Sequence, residues 1–118
     1  MREESILQEL CQLGKTSDEI ASELRRRGIR GTRSQAFLCP IAIVVSRKIE
    51  RMKTGIFRIA VFVDRMSTQI FTNETTSWKL KLHIDNPQPV MEFVNWFDGG
   101  RYIDLEIGLS YFLGANEQ

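Results

Sequence analysis

Histidine occurs once in this chain, at His83, and cysteine twice, at Cys11 and Cys39. A structural zinc site needs four ligands in close pairs, and no CxxC spacing exists, so metal binding is not expected. The common nucleophilic chemistries need a base beside the nucleophile, most often histidine. His83 stands between Lys81 and Asp85 in an alternating segment, where it reads as a solvent-facing side chain, and nothing nearby in sequence pairs with it. Two isolated cysteines beside apolar neighbours read as buried free thiols in a reducing compartment. Long apolar runs are missing too. The longest uncharged stretch, Ser34 to Ser46, is 13 residues and contains Pro40, too short to span a bilayer. The amino terminus is acidic and leads into an amphipathic pattern, not a signal peptide. No membrane association and a cytoplasmic location are therefore expected. With 42% hydrophobic and 26% charged residues in 118, the composition excludes a disordered tail, a fibrous repeat and a disulfide scaffold. The length fits one domain over residues 1–118.

A strong charge of either sign is also lacking, since the formal net charge is +1. That value is a cancellation. Residues 1–23 carry −4, residues 24–53 carry +8, residues 54–85 carry +1 and residues 86–118 carry −4. The basic stretch contains Arg25, Arg26, Arg27, Arg30, Arg33, Arg47, Lys48, Arg51 and Lys53 against the single acid Glu50. Asymmetry of this kind points to an anionic partner or an acidic protein surface. The alternative is that the acidic ends fold back onto the basic middle.

Local patterns define the elements. Ile6, Leu7, Leu10 and Leu13 recur at helical spacing and Gly14 stops the run, which predicts a helix near residues 3–13. Thr16 and Glu19 form a capping-box pair for a second helix ending at Gly28, with Ile29 placed for the contact beyond a glycine cap. Residues 30–38 read as a loop. Pro40 suits the first turn of a third helix, continued by Ile41, Val44, Val45 and Ile49. Ile56 to Val63 is apolar and rich in β-branched residues, which predicts a central strand, and Gln69 to Thr72 predicts a second, short one. Trp78, Leu80, Leu82 and Ile84 alternate with Lys79, Lys81 and His83, predicting a half-buried antiparallel strand with the four apolar residues inward. Pro89 opens a fourth helix with Val90, Phe93, Val94 and Phe97 on one face. Residues 102–113 fit either a strand or a helix. The expected fold is α+β, with three N-terminal helices, a small antiparallel sheet of three or four strands, and a fourth helix packed on it.

Two segments carry a resemblance. Asp18-Glu-Ile-Ala-Ser-Glu-Leu-Arg-Arg-Arg-Gly-Ile-Arg-Gly31, followed by Cys39-Pro-Ile-Ala42, is one. Pro89-Val-Met-Glu-Phe-Val-Asn-Trp-Phe-Asp-Gly-Gly-Arg-Tyr102 is the other. Both resemble segments of short uncharacterised bacterial proteins. The resemblance covers under half of the chain, implies a bacterial cytoplasmic origin, and brings no catalytic residue or ligand with it.

The pattern ranks three function classes. First is a non-enzymatic module that binds a protein or an anionic partner through residues 25–53, through an aromatic C-terminal surface of Trp96, Tyr102, Tyr111 and Phe112, or through both. The apolar ending Leu109 to Leu113 is compatible with docking on a second copy. Second is a winged helix-turn-helix regulator, because helix, turn, helix and hairpin occur in that order with basic side chains available for phosphates. Against it, residues 36–45 offer no polar side chain for reading base edges. An enzyme ranks third. Gly28 and Gly31 give G-x-x-G without the strand and Lys-Ser/Thr of a phosphate loop. No cofactor is expected.

Overall fold

The computed structural model describes residues 2–55, 57–73 and 76–107. Three helices come first: α1 (Glu3–Gln12), α2 (Ser17–Arg27) and α3 (Pro40–Met52). Three strands follow, β1 (Arg58–Val63), β2 (Ser67–Asn73) and β3 (Trp78–Asp85), then α4 (Gln88–Asp98) and a 3₁₀ turn at Ile103–Leu105. This is the expected α+β order.

Each helix boundary has a chemical cause. The Thr16 hydroxyl accepts from the Glu19 N–H at 3.1 Å, opening α2. The Glu19 carboxylate reaches back to the Lys15 N–H, one residue before the expected box partner. Gly28 ends α2 in the left-handed region at φ 69°, and the Ile29 N–H then bonds the Leu24 carbonyl at 2.9 Å. Ile29 is buried, as a Schellman cap requires. At α3 the Cys39 sulfur accepts from the Ala42 N–H, with Pro40 in the first turn. Ile6, Leu10 and Leu13 of the α1 stripe are buried, but Leu7 and Cys11 point to solvent. Cys11 is thus an exposed thiol, contrary to the sequence expectation, because position 11 falls off the helix stripe that starts at Ile6.

The sheet is an antiparallel meander in the order β1-β2-β3. β1 is therefore an edge strand, where its apolar sequence predicts the centre. β2 holds the centre with Thr68, Ile70 and Thr72 turned inward and buried. The Thr68 hydroxyl is satisfied at depth by the Asn86 side-chain carbonyl at 2.7 Å. β3 pairs Leu82 with Ile70 but Leu80 with Phe71, so Lys81 is an extra residue and forms a bulge. A bulge reverses the in-and-out alternation beyond it. Ile84 and Leu82 face the core, whereas Leu80 and Trp78 are turned to the opposite side and lie about half exposed (52% and 48%). The expectation of one four-residue apolar face on β3 is corrected accordingly.

α1, α2, α3, α4 and the inner sheet face enclose one core cluster with Phe93, Phe97, Ile20, Leu24, Ile41 and Ile70 at its centre. All four stripe residues of α4 are buried in it. The chain after α4 returns to the loop behind α2. The Gly31 N–H bonds the Leu105 carbonyl and the Ile107 N–H bonds the Gly31 carbonyl, both at 2.8 Å. Gly31 fits there because a Cβ would lie 2.5 Å from the Leu38 carbonyl oxygen.

Candidate macromolecule interface

The acidic ends do fold onto the basic middle. Six of the nine cations, Arg25, Arg26, Arg27, Arg33, Lys48 and Lys53, have a carboxylate within 4.0 Å. Glu9 and Glu23, from the first acidic segment, hold Arg27, and they also hold Lys48 and Arg26 respectively. Asp104 and Glu106, from the last, hold Arg25 and Arg33. The hydrogen bonds from Arg26 and then Arg27 pull the Glu23 carboxyl down to about 2. The Arg25 hydrogen bond likewise holds Asp104 below the usual carboxylate range, and Arg30 adds to that field. Surface pairs contribute little stability, but they remove the local potential that an anionic partner would feel. Among the described residues, Arg47 and Arg51 on the outer side of α3 have no carboxylate within 4.0 Å.

The third helix is not placed to read DNA. Its opening residues Pro40, Ile41, Ala42, Val44 and Val45 are buried, and a recognition helix needs that end exposed in the groove. α2 packs chiefly against α4, and α3 against β1 and α1, with the long connection 28–39 between them. The apolar run at residues 36–45 is mostly core sequence.

The aromatic C-terminal surface resolves into different environments. Tyr102 is 4% exposed, so it is not a surface residue. Its ring stacks on Phe93 at 5.3 Å between centroids. Its hydroxyl donates to Asp18 at 2.6 Å and accepts from Ser17 at 2.6 Å. Burial first, and the Asp18 hydrogen bond second, push that phenol up. Trp96 is half exposed, but the Arg101 guanidinium lies 4.9 Å over its ring and also approaches Asp18 at 3.7 Å. The two resembling segments therefore meet at Asp18, Arg25, Arg101 and Tyr102 in an internal clasp between α2 and the end of α4. Tyr111 and Phe112 lie outside the described residues.

Catalytic groups are not assembled. The Cys39 thiol is pushed up to about 12 by burial and sits in the core. His83 faces outward, 3.6 Å from Asp85, so the two do not meet. An open cleft of about 280 Å³ beside Cys39 is lined by Asp98 and Asp64. Both carboxylates are occupied by backbone donors, Asp98 by the Ser34 N–H and Asp64 by the Met66 and Ser67 N–H groups. Among the described residues there is no cluster of three or more metal-ligating side chains, and no helix is long and apolar enough to cross a membrane.

What remains is the outward face of the sheet. Its register gives three rows: Arg58, Asn73 and Trp78; then Ala60, Phe71 and Leu80; then Phe62, Gln69 and His83. The core helices cover the opposite face, where Val61, Val63, Ile70 and Ile84 are buried. Phe37, 54% exposed, meets Phe62 edge-on at 5.3 Å and extends the surface past β1. Sequence reasoning missed this surface because strict alternation assigns Trp78 and Leu80 to the core. The available signal was β1 itself, apolar on both faces although helices cover only one. Comparisons with family models, with curated proteins and with solved structures return no match for the chain.

Proposed function

We propose that the chain is a non-enzymatic macromolecule-binding module whose contact surface is the outward face of the sheet. One observation carries this reading: Trp78, Leu80, Phe71 and Phe62 share a face on which no described helix packs. Exposed apolar groups gathered in one patch mark interaction sites, whereas scattered ones need no explanation. Tryptophan and flanking arginine are also the side chains that dominate binding energy at interfaces. The basic segment supports the reading by elimination, since most of its cations are already neutralised within the fold.

The test is site-specific photo-crosslinking in the native cell. A photo-reactive residue at position 80 is expected to give discrete adducts, and one at position 47, on the exposed side of α3, none. Adducts at 47 alone would move the interface to α3. Adducts at neither position would refute the proposal.

A further inference from the structure

The outward sheet face has a pattern finer than a general apolar patch. Its aromatic residues form a diagonal. Trp78 on β3 lies opposite Asn73, two residues from Phe71 on β2; Phe71 lies opposite Ala60, two residues from Phe62 on β1. Diagonal neighbours of this kind are about 7–8 Å apart, a step that one nucleotide of extended backbone spans. Phe37, packed edge-on against Phe62, adds a fourth ring at the end of the line. Cationic groups take the other two corners of the three rows. Arg58 is on one side of the diagonal, and on the other is His83, next to the bulge residue Lys81. The acid on this face is Asp85, beside His83 at the far end of β3.

Area narrows the occupant. Strands of this length give a face about 20 Å long and about 15 Å wide, roughly 300 Å². A stable interface between globular proteins needs about 800 Å² per partner, so a second copy covering this face alone falls short. A ligand that lies along the face as a chain fits it. A row of π-surfaces flanked by cations matches a polymer of stackable rings on an anionic backbone.

We infer that the outward sheet face binds single-stranded nucleic acid, with bases stacking on Trp78, Phe71 and Phe62 and the backbone running past Arg58 and Lys81. This deepens the proposed function and rests on the same surface. A duplex, which hides its base faces, is a poor ligand for such a platform.

The experiment uses the full chain and a fluorescein-labelled oligo(dT) of about fifteen nucleotides. Fluorescence anisotropy at low salt is expected to show saturable binding, weakened roughly tenfold between about 50 and about 200 mM salt, as two or three phosphate contacts imply. In a Trp96→Phe background Trp78 is the one remaining tryptophan of the two, and stacking is expected to quench it. Trp78→Ala is expected to lose roughly 5- to 100-fold in affinity, and Trp78→Phe to stay within a few-fold of the parent. Circular dichroism melting checks that both variants fold, which the exposure of Trp78 favours. An Arg47→Gln/Arg51→Gln pair is expected to change nothing. The inference is overturned by no binding at low salt, by equal binding of a duplex of the same length, or by a loss that follows Arg47 and Arg51 instead of Trp78. Protein adducts from position 80 with no oligonucleotide binding would overturn the inference and leave the sheet-face module standing; no adducts and no binding would end both.

Discussion

Replacing Glu9 by glutamine is expected to destabilise the fold by about 1.5–2 kcal/mol. Glu9 is a carboxylate on α1 with only 7% of its side chain exposed. It stands 2.9 Å from the Arg27 guanidinium and 3.9 Å from the Lys48 ammonium. Two limits bracket the cost. An exposed pair is worth at most about 1 kcal/mol. Breaking a fully buried pair by removing one partner costs about 3–5 kcal/mol. The cations here are only partly buried, at 26% and 31% side-chain exposure, and Arg27 keeps Glu23 at 2.7 Å. The value should therefore fall between the limits and nearer the lower one. Glutamine preserves volume and an acceptor oxygen, so the substitution isolates charge. For a domain of this size the cost corresponds to a drop in Tm of about 6–8 °C, read by circular dichroism. Glu4→Gln, on the exposed side of the same helix, is the control and should move Tm by no more than about 2 °C. In a Lys48→Met background the effect of Glu9→Gln should shrink, since one of the two cations it serves is gone. Equal small shifts for Glu9→Gln and Glu4→Gln would refute the argument that the acidic amino-terminal segment is built into the fold as a counter-charge.

Four further outcomes follow from the same geometry. Ile84→Ala should cost about 2–4 kcal/mol in urea unfolding and Leu80→Ala under about 1; equal costs would contradict the bulge at Lys81. Gly28→Ala, with open space around it at φ 69°, should cost about 1 kcal/mol, and Gly31→Ala should cost more, because its Cβ would lie 2.5 Å from the Leu38 carbonyl oxygen; the reverse order would be inconsistent with this packing. A thiol reagent should label Cys11 in the native protein and reach Cys39 only on unfolding, given the buried thiol pushed up to about 12; two fast-labelling thiols would show the core site to be open. Glu23 has a depressed folded value of about 2 against an ordinary 4.5, so its contribution is full above pH 4.5 and lost as pH falls toward 2. Glu23→Gln should flatten the stability profile over that window, and an unchanged profile would remove the Arg26 and Arg27 pairing as its source.

Helices were legible because their signals are local. The Thr16 cap, the Gly28 stop, Pro40 at the start of α3 and the Val90–Phe97 stripe each act within a few residues. Strand order was not, because β1 and β2 compete for the centre through contacts that only the whole sheet supplies. Polar β2 takes the centre because its inward threonines are small, and one of them, Thr68, finds Asn86 at the start of α4. The bulge is hidden for a related reason: Trp78, Leu80, Leu82 and Ile84 alternate without interruption in sequence, and only pairing with Ile70 and Phe71 makes Lys81 the extra residue. Tyr102 follows two glycines and reads as surface, yet its hydroxyl is satisfied by Ser17, 85 positions away, and by Asp18. The ambiguity over residues 102–113 reflects backbone use: the described part makes a 3₁₀ turn and a single parallel bridge between Gly31 and Glu106, and neither has a periodic sequence signature.

The segment charges acquire a structural meaning from where their partners sit. Arg25 with Asp104, and Arg33 with Glu106, connect the end of α2 and its following loop to the chain beyond α4. Arg27 and Lys48 converge on Glu9 and connect α2 and α3 to α1. These are contacts between distant parts of the chain, and like-charge crowding in residues 24–53 would oppose compaction without them. The +8 stretch therefore works as a hub that both −4 ends close upon. A surface neutralised in this way has little long-range field, so it cannot steer a charged partner from a distance. Recognition is left to short-range contact, and the exposed groups that supply the most of it are the rings and the leucine that the bulge at Lys81 turns away from the core.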